Sequence, residues 1–330
     1  MKKKEILVER FPENPLVRPE DVDWINRYPE GDRAVFNCGV VFDEENKIFR
    51  MLLRGGSGPF SDVGYAESKD GIVWEVKKDS PVLKHDEDSC WSGYCARGIE
   101  DTRIVKWVDG LWYILATACS EDNFDSTRIT GRVGIWRTSD FKKFEWVSCP
   151  FNIEDKDASI FPEPIGRYVY LLHRKDPDIW ICKSRDLKLR SGWTVGKVLI
   201  KAPRFYKNSV GKRPQKIGIA GPPIKTPKGW LVVTHVVHSD NTSKWWKYYL
   251  RSYTLGFMVL DLENPTLVKY VHQSPILWPQ EEHEIYGNVA RVCFSCATVD
   301  YGDDIYIYWG GADTVICGGR LRKSDLPMCY

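Results

Sequence analysis

The 330-residue chain has no apolar run near the roughly 18 residues that a membrane-spanning helix needs, which argues against such a helix. Its N-terminus, Met1-Lys2-Lys3-Lys4-Glu5-Ile6-Leu7, lacks the apolar stretch of a secretory signal, so a cytoplasmic location is expected. Neither sign of charge dominates: 47 Lys and Arg stand against 45 Asp and Glu, a net charge of +2. That balance argues against a broad basic face for nucleic acid and leaves room for a small local pocket. Only six histidines are present, and none stands with any of the ten cysteines in zinc-ligand spacing. The expectation is reduced, mostly buried thiols and no metal. No long segment carries a 3.6-residue period, so helices contribute little.

What the chain has instead is aromatics and strands. Fourteen Trp, 16 Tyr and 13 Phe suit β structure and sugar stacking, although core packing accounts for most of them. Residues 1–34, with Pro12, Pro15, Pro19 and Pro29, read as an N-terminal arm that packs on the rest. From residue 35 to 330, five hairpin-like units follow. Their first strands begin near Val35, Gly98, Asp157, Gly221 and Cys293, and each turns at a polar segment and returns as an apolar run. Several units then show a Ser/Thr-x-Asp turn followed by a Trp, as in Ser68-Lys69-Asp70, Thr138-Ser139-Asp140 and Ser184-Arg185-Asp186. The Asp of such a turn bonds the backbone that follows it. Self-similarity every roughly 55–75 residues, with about four strands per unit, predicts an all-β chain folded as one five-bladed β-propeller. A β-sandwich with irregular strands is the rival architecture.

In a propeller the first strand of each blade lies nearest the central channel, so equivalent positions converge on the axis. The starts of first strands hold Asn37, Asp101, Asp157 and Gly221. The late positions of second strands hold Arg54, Thr117, Arg174 and His235, with Asp313 beyond the fifth. A core would place apolar or neutral side chains there, because buried charge is costly unless paired or used. Asp101 and Asp313 suit hydroxyl recognition or acid chemistry. Lys156, Arg174, Lys216 and His235 form a potential oxyanion pocket. One acid facing an anion pocket differs from the two carboxylates of an ordinary glycosidase. Structural alternatives stand beside these readings: an Asp101–Arg103 ion pair, a core role for His235, an Arg174 that bridges blades, and a solvated Lys156. Trp245 and Trp246 suit either a sugar-stacking rim or an oligomer contact.

The segments Gly98-Ile99-Glu100-Asp101-Thr102-Arg103, Lys156-Asp157-Ala158-Ser159-Ile160-Phe161-Pro162-Glu163 and Leu172-His173-Arg174 resemble glycoside hydrolase family 130. So do Ile217 to Thr226, His235, Tyr253-Thr254-Leu255-Gly256 and Gly311 to Ile316. These span nearly the whole chain in order. The resemblance implies a five-bladed propeller and inverting phosphorolysis of a β-mannoside to α-mannose 1-phosphate, with inorganic phosphate as co-substrate and no cofactor. It implies Asp101 as general acid, acting through the mannose 3-hydroxyl. It implies Lys156, Arg174, Lys216, His235 and Tyr253 around phosphate. Asn37, Arg54 and Asp313 would contact mannose, with Glu100, Arg103 and Asp157 completing the substrate-binding set. The chain departs from the pattern at Phe60-Ser61-Asp62-Val63-Gly64, where an arginine is expected, and in a long 239–252 loop. A β-mannosidase that uses water, and a sugar-binding propeller without chemistry, remain as alternatives. The linkage, β-1,4 or β-1,2, and the acceptor sugar stay open. The partners expected are a β-mannoside oligosaccharide and phosphate, with neither nucleic acid nor membrane, and with a homo-oligomer compatible with the exposed aromatics of the loop.

Overall fold

The computed structural model describes residues 5–27, 33–57, 60–86, 89–121, 129–202, 216–240 and 250–330. The 241–249 part of the loop, including Trp245 and Trp246, lies outside the described residues. The strand β1 (Glu9–Arg10) is followed by five antiparallel sheets. Blade I is β2 (Ala34–Asp43), β3 (Ile48–Ser57), β4 (Phe60–Ser68) and β5 (Glu75–Val76). Blade II is β6 (Gly98–Lys106), β7 (Trp112–Glu121), β8 (Ile129–Thr138) and β9 (Glu145–Ser148). Blade III is β10 (Lys156–Ile160), β11 (Val169–Lys175), β12 (Asp178–Ser184) and β13 (Lys197–Ile200).

Blade IV differs from the sequence expectation. Its first strand is β14 (Lys216–Ile219), upstream of Gly221; the chain breaks there and resumes as β15 (Ile224–Thr226). Both pieces pair with β16 (Gly229–Asp240), which continues into β17 (Leu250–Leu260) and β18 (Val268–Val271). Gly221-Pro222-Pro223 explains the break, since adjacent prolines supply no ladder donors. Blade V is β19 (Cys293–Tyr301), β20 (Asp304–Gly311) and β21 (Val315–Arg322), and β1 is its fourth strand. The N-terminal arm therefore closes the ring. It also buries Val17, Val22 and Ile25 against blades I and V.

The second strands read as near-continuous apolar runs because both faces of each blade are covered. Side chains alternate across a strand. On β7, Trp112, Ile114 and Ala116 pack toward blade I, while Tyr113 and Leu115 pack toward blade III. On β11, Leu171 faces blade II, and Tyr170 and Leu172 face blade IV. On β16, Trp230 and Val232 face blade III, and Leu231 and Val233 face blade V. One hydrophobic cluster thus fills each of the five seams between neighbouring blades, which is the packing of a closed five-bladed β-propeller.

The outer turns follow the Ser/Thr-x-Asp signature. Asp70 Oδ1 accepts from the Ile72 and Val73 amides at 2.8 and 2.9 Å, and Asp140 Oδ1 from Lys142 and Lys143 at the same distances. All ten cysteines are free and eight are buried. Among the described residues, no helix is long and apolar enough to cross a membrane.

Candidate active site

The site is built on one repeated backbone defect. In blade I, regular pairing stops at Phe36↔Arg54 and resumes at Gly39↔Leu52. In blade II it stops at Glu100↔Thr117 and resumes at Arg103↔Leu115; in blade III it stops at Lys156↔Arg174 and resumes at Ser159↔Leu172. Each first strand thus carries one extra residue, a β-bulge, which re-aims a side chain at a functional edge. The residue that opens each bulge is Asn37, Asp101 or Asp157, with φ of 48°, 57° and 51°. Asn and Asp are the side chains that best tolerate this left-handed backbone. Beyond the second strand of blade V, Ala312 and Asp313 have φ of 46° and 52°. Blade IV contributes closeness instead. A Cβ on Gly218 would stand 2.5 Å from Asp157 Oδ2 and from the His235 ring, so only glycine lets these approach.

On the acid side, the Asn37 amide donates to Asp101 Oδ1 at 2.9 Å, and Arg54 Nη1 donates to the same oxygen at 3.0 Å. Arg54 Nη2 donates to Glu100 Oε1 at 2.6 Å, and the guanidinium lies 4.5 Å from the Phe36 ring centre. Burial works against the Arg54 charge, but Glu100 and Asp101 outweigh it and raise its pKa. Asp101 Oδ2 has no hydrogen-bond partner among the described residues. Asp313 completes this side. Burial pushes its carboxyl up to about 7; Arg54 pulls it down, and Asp101 and Glu100 push it further up.

On the cation side, Asp157 is fully buried at the centre of a network. Arg103 Nη2 donates to its Oδ1 at 3.4 Å. Its Oδ2 lies 2.7 Å from Arg174 Nη1 and 3.2 Å from His235 Nε2. Burial opposes ionisation of Asp157, yet Arg174, His235 and Arg103 together hold its pKa far below the usual carboxylate range. Burial lowers the pKa of His235, and Asp157 opposes that shift without reversing it. Arg174 Nε lies 2.8 Å from Asp176 Oδ1, and Lys216 Nζ pairs with Asp176 Oδ2. Lys156 is half-buried between the two sides. Burial and Arg174 disfavour its charge, but Asp157, Glu100 and Asp101 prevail and raise its pKa. Tyr253 sits opposite Val237 on β17, its ring 6.1 Å from Phe294, which in turn packs 4.4 Å from His235.

The fold brings together the candidate acid, phosphate and mannose residues, with a different division of labour inside the set; Trp245 and Trp246 lie outside the described residues. Arg103 and Asp157, expected to touch substrate, are 1% and 0% exposed as side chains. Arg103 spends its donors on the carbonyls of Ala220, Ile219 and Asp101, at 2.6, 2.9 and 2.9 Å. They hold the scaffold and leave no surface for a sugar. The Asp101–Arg103 ion pair does not form, since Arg54 takes the Asp101 carboxylate. His235, also fully buried, lies behind Arg174, with Nη1 to Nε2 at 3.1 Å. Arg174 thus bridges blades III and IV and faces the pocket as well. Sequence reasoning missed Asp176, whose only sign is the Arg174-Lys175-Asp176-Pro177 turn, and the buried Asp155–His173 pair, with Oδ2 to Nδ1 at 2.6 Å.

Comparison with known proteins identifies the family. The family described as beta-1,4-mannooligosaccharide phosphorylase, glycoside hydrolase family 130, matches residues 7–324. A 1,2-beta-oligomannan phosphorylase of Thermoanaerobacter sp. (strain X514) is 34% identical, over 98% of this chain and 100% of its own length. A beta-1,4-mannooligosaccharide phosphorylase of Ruminococcus albus is 28% identical, over 97% of this chain and 90% of its own. The solved beta-1,2-mannobiose phosphorylase from Listeria innocua, in complex with beta-1,2-mannobiose, superposes with a TM-score of 0.76 at 26% identity, covering 97% of this chain and 98% of that one. With its motifs in order along the whole propeller, the chain belongs to glycoside hydrolase family 130.

Proposed function

We propose that this protein is an inverting β-mannoside phosphorylase, converting a β-mannoside and phosphate to α-mannose 1-phosphate and the shortened acceptor. One observation carries the reading: the Asp101 carboxylate, fixed on one oxygen by Asn37 and Arg54, lies within electrostatic reach of Lys156 and Arg174, and Lys216 stands beside Arg174 across Asp176. Asp101 serves as general acid toward the glycosidic oxygen, by way of the mannose 3-hydroxyl. The cations neutralise phosphate and hold it in line with the anomeric carbon, on the face opposite the leaving group. His235 orients Arg174 from behind, and Tyr253 flanks the pocket. Asn37, Arg54, Glu100 and Asp313 bind mannose.

A hydrolase would need a second free carboxylate to activate water. Here Glu100 is tied to Arg54, Asp157 is buried among cations, and Asp176 lies between two of them; Asp313 stands on the acid side with Arg54 and Asp101 and is assigned to the sugar. The scheme draws its positive charge from side chains and calls for no metal or organic cofactor. Ten unpaired thiols suit a cytoplasmic setting. For the linkage, the β-1,2 reading is favoured, because the 34% identical relative is named for that bond and the β-1,4 enzyme shares 28%. The test is a panel of β-1,2-mannobiose, β-1,4-mannobiose and β-mannosyl-1,4-glucose, each with phosphate, scored for mannose 1-phosphate by phosphorus NMR. Fastest turnover of β-1,2-mannobiose supports the reading, and preference for β-1,4-mannobiose reverses the linkage.

A further inference from the structure

Asp176 is the unexpected member of the cation pocket. It stands in the two-residue turn between β11 and β12, closed by the Lys175↔Asp178 pair. The Ile217 amide donates to Pro177 O at 3.0 Å, which fastens this turn to the first strand of blade IV. The carboxylate lies between Arg174 Nε at 2.8 Å and Lys216 Nζ, and its side chain is 42% exposed. It is therefore open to an anion that approaches these two cations. The other carboxylate touching Arg174, Asp157, is 0% exposed and closed to any ligand.

A carboxylate oxygen in an anion pocket repels every bound oxyanion that has no proton to give. Near neutral pH inorganic phosphate keeps at least one P–O–H, whereas sulfate has the same shape and no proton. A site built to accept a hydrogen bond rejects the analogue that lacks the donor far more strongly than it rejects a change of size, and an unmatched acceptor facing a like charge adds repulsion. We infer that Asp176 is a specificity-determining residue, which accepts a hydrogen bond from the protonated oxygen of phosphate and thereby excludes sulfate from the pocket. The inference rests on the phosphorylase reading and adds to it the protonation state of the anion the pocket takes. The same logic admits arsenate, which keeps a proton at this pH.

The test compares sulfate with phosphate on the wild-type enzyme and on Asp176→Asn. Asparagine keeps the shape and turns either a carbonyl or an NH2 toward the anion, so it serves both ligands. In the wild type, sulfate should compete with phosphate only at concentrations about 100-fold above the phosphate KM. In D176N the ratio of sulfate Ki to phosphate KM should fall at least about tenfold, with sulfate becoming a competitive inhibitor. Calorimetry of wild-type protein with phosphate and with sulfate gives a second readout that needs no variant. Phosphate binding with equal sulfate binding in the wild type, or an unchanged ratio in D176N, overturns the selectivity role and leaves the phosphorylase reading standing. Mannoside turnover that ignores phosphate, with no phosphate bound in the calorimeter, overturns both.

Discussion

Asn37 and Asp101 sit on neighbouring blades, each on the left-handed residue of a first-strand bulge, and the Asn37 amide donates a 2.9 Å hydrogen bond to Asp101 Oδ1. Arg54 takes the same oxygen from the other side at 3.0 Å. One oxygen of the acid is thereby fixed and the other is left to the substrate. Replacing Asp101 with Asn preserves the shape and removes the proton. D101N is expected to stay folded and to lose about 10²–10⁴-fold in turnover. Near-normal phosphorolysis by a folded D101N removes Asp101 from the acid role.

Asp157 belongs to the scaffold, and its variant should behave differently. Arg103, Arg174 and His235 converge on its buried carboxylate. Breaking a buried ion network by removing one partner costs about 3–5 kcal/mol. D157N should therefore lower the unfolding free energy by that order, read from the shift of the denaturant midpoint, and D101N should lower it less, because Arg54 keeps Glu100. Equal stability of D157N and wild type contradicts the scaffold assignment.

The two kinds of residue were not equally legible in the sequence. The blade count, the Ser/Thr-x-Asp turns and the convergence of Asn37, Asp101, Arg174 and His235 followed from the repeat, because strand periodicity and turn chemistry are local. Asp157 and Arg103 share motifs with the reacting groups, and only the packing of blade IV on blade III shows that they are covered. The first strand of blade IV was misplaced because Gly221-Pro222-Pro223 marks a break in that strand, not its start. Asp176 carried no repeat signal, since its role depends on Lys216 from another blade. The arm's strand is two residues long and gains meaning only by pairing with Gly319 and Arg320 at the far end of the chain.

His235 acts on phosphate through Arg174, so its removal should be read in KM. H235A is expected to raise the phosphate KM about tenfold, equivalent to about 1.4 kcal/mol, with the mannoside KM little changed. Initial rates over a grid of both substrates check this. A rise confined to the mannoside KM places His235 on the sugar side.

Asp313 makes stability depend on pH. Its carboxyl titrates near 7 in the folded protein, with burial the main cause, against an ordinary value of about 3.9 when unfolded. Between those values the folded state holds the proton and the unfolded state has lost it. The contribution to stability is therefore present at low pH and disappears as pH rises through about 7. D313N removes this loss, so the melting temperature of D313N relative to wild type should be higher at pH 8 than at pH 5. A difference that does not change with pH contradicts the elevated titration.

The account's central claim is that phosphate is the nucleophile. It is tested most directly by following β-1,2-mannobiose consumption by the wild-type enzyme as phosphate is titrated from zero. The account predicts no turnover without phosphate, a saturable rise with it, and one α-mannose 1-phosphate formed per mannose released. Free mannose released at an equal rate without phosphate, and no sugar phosphate formed, would contradict it.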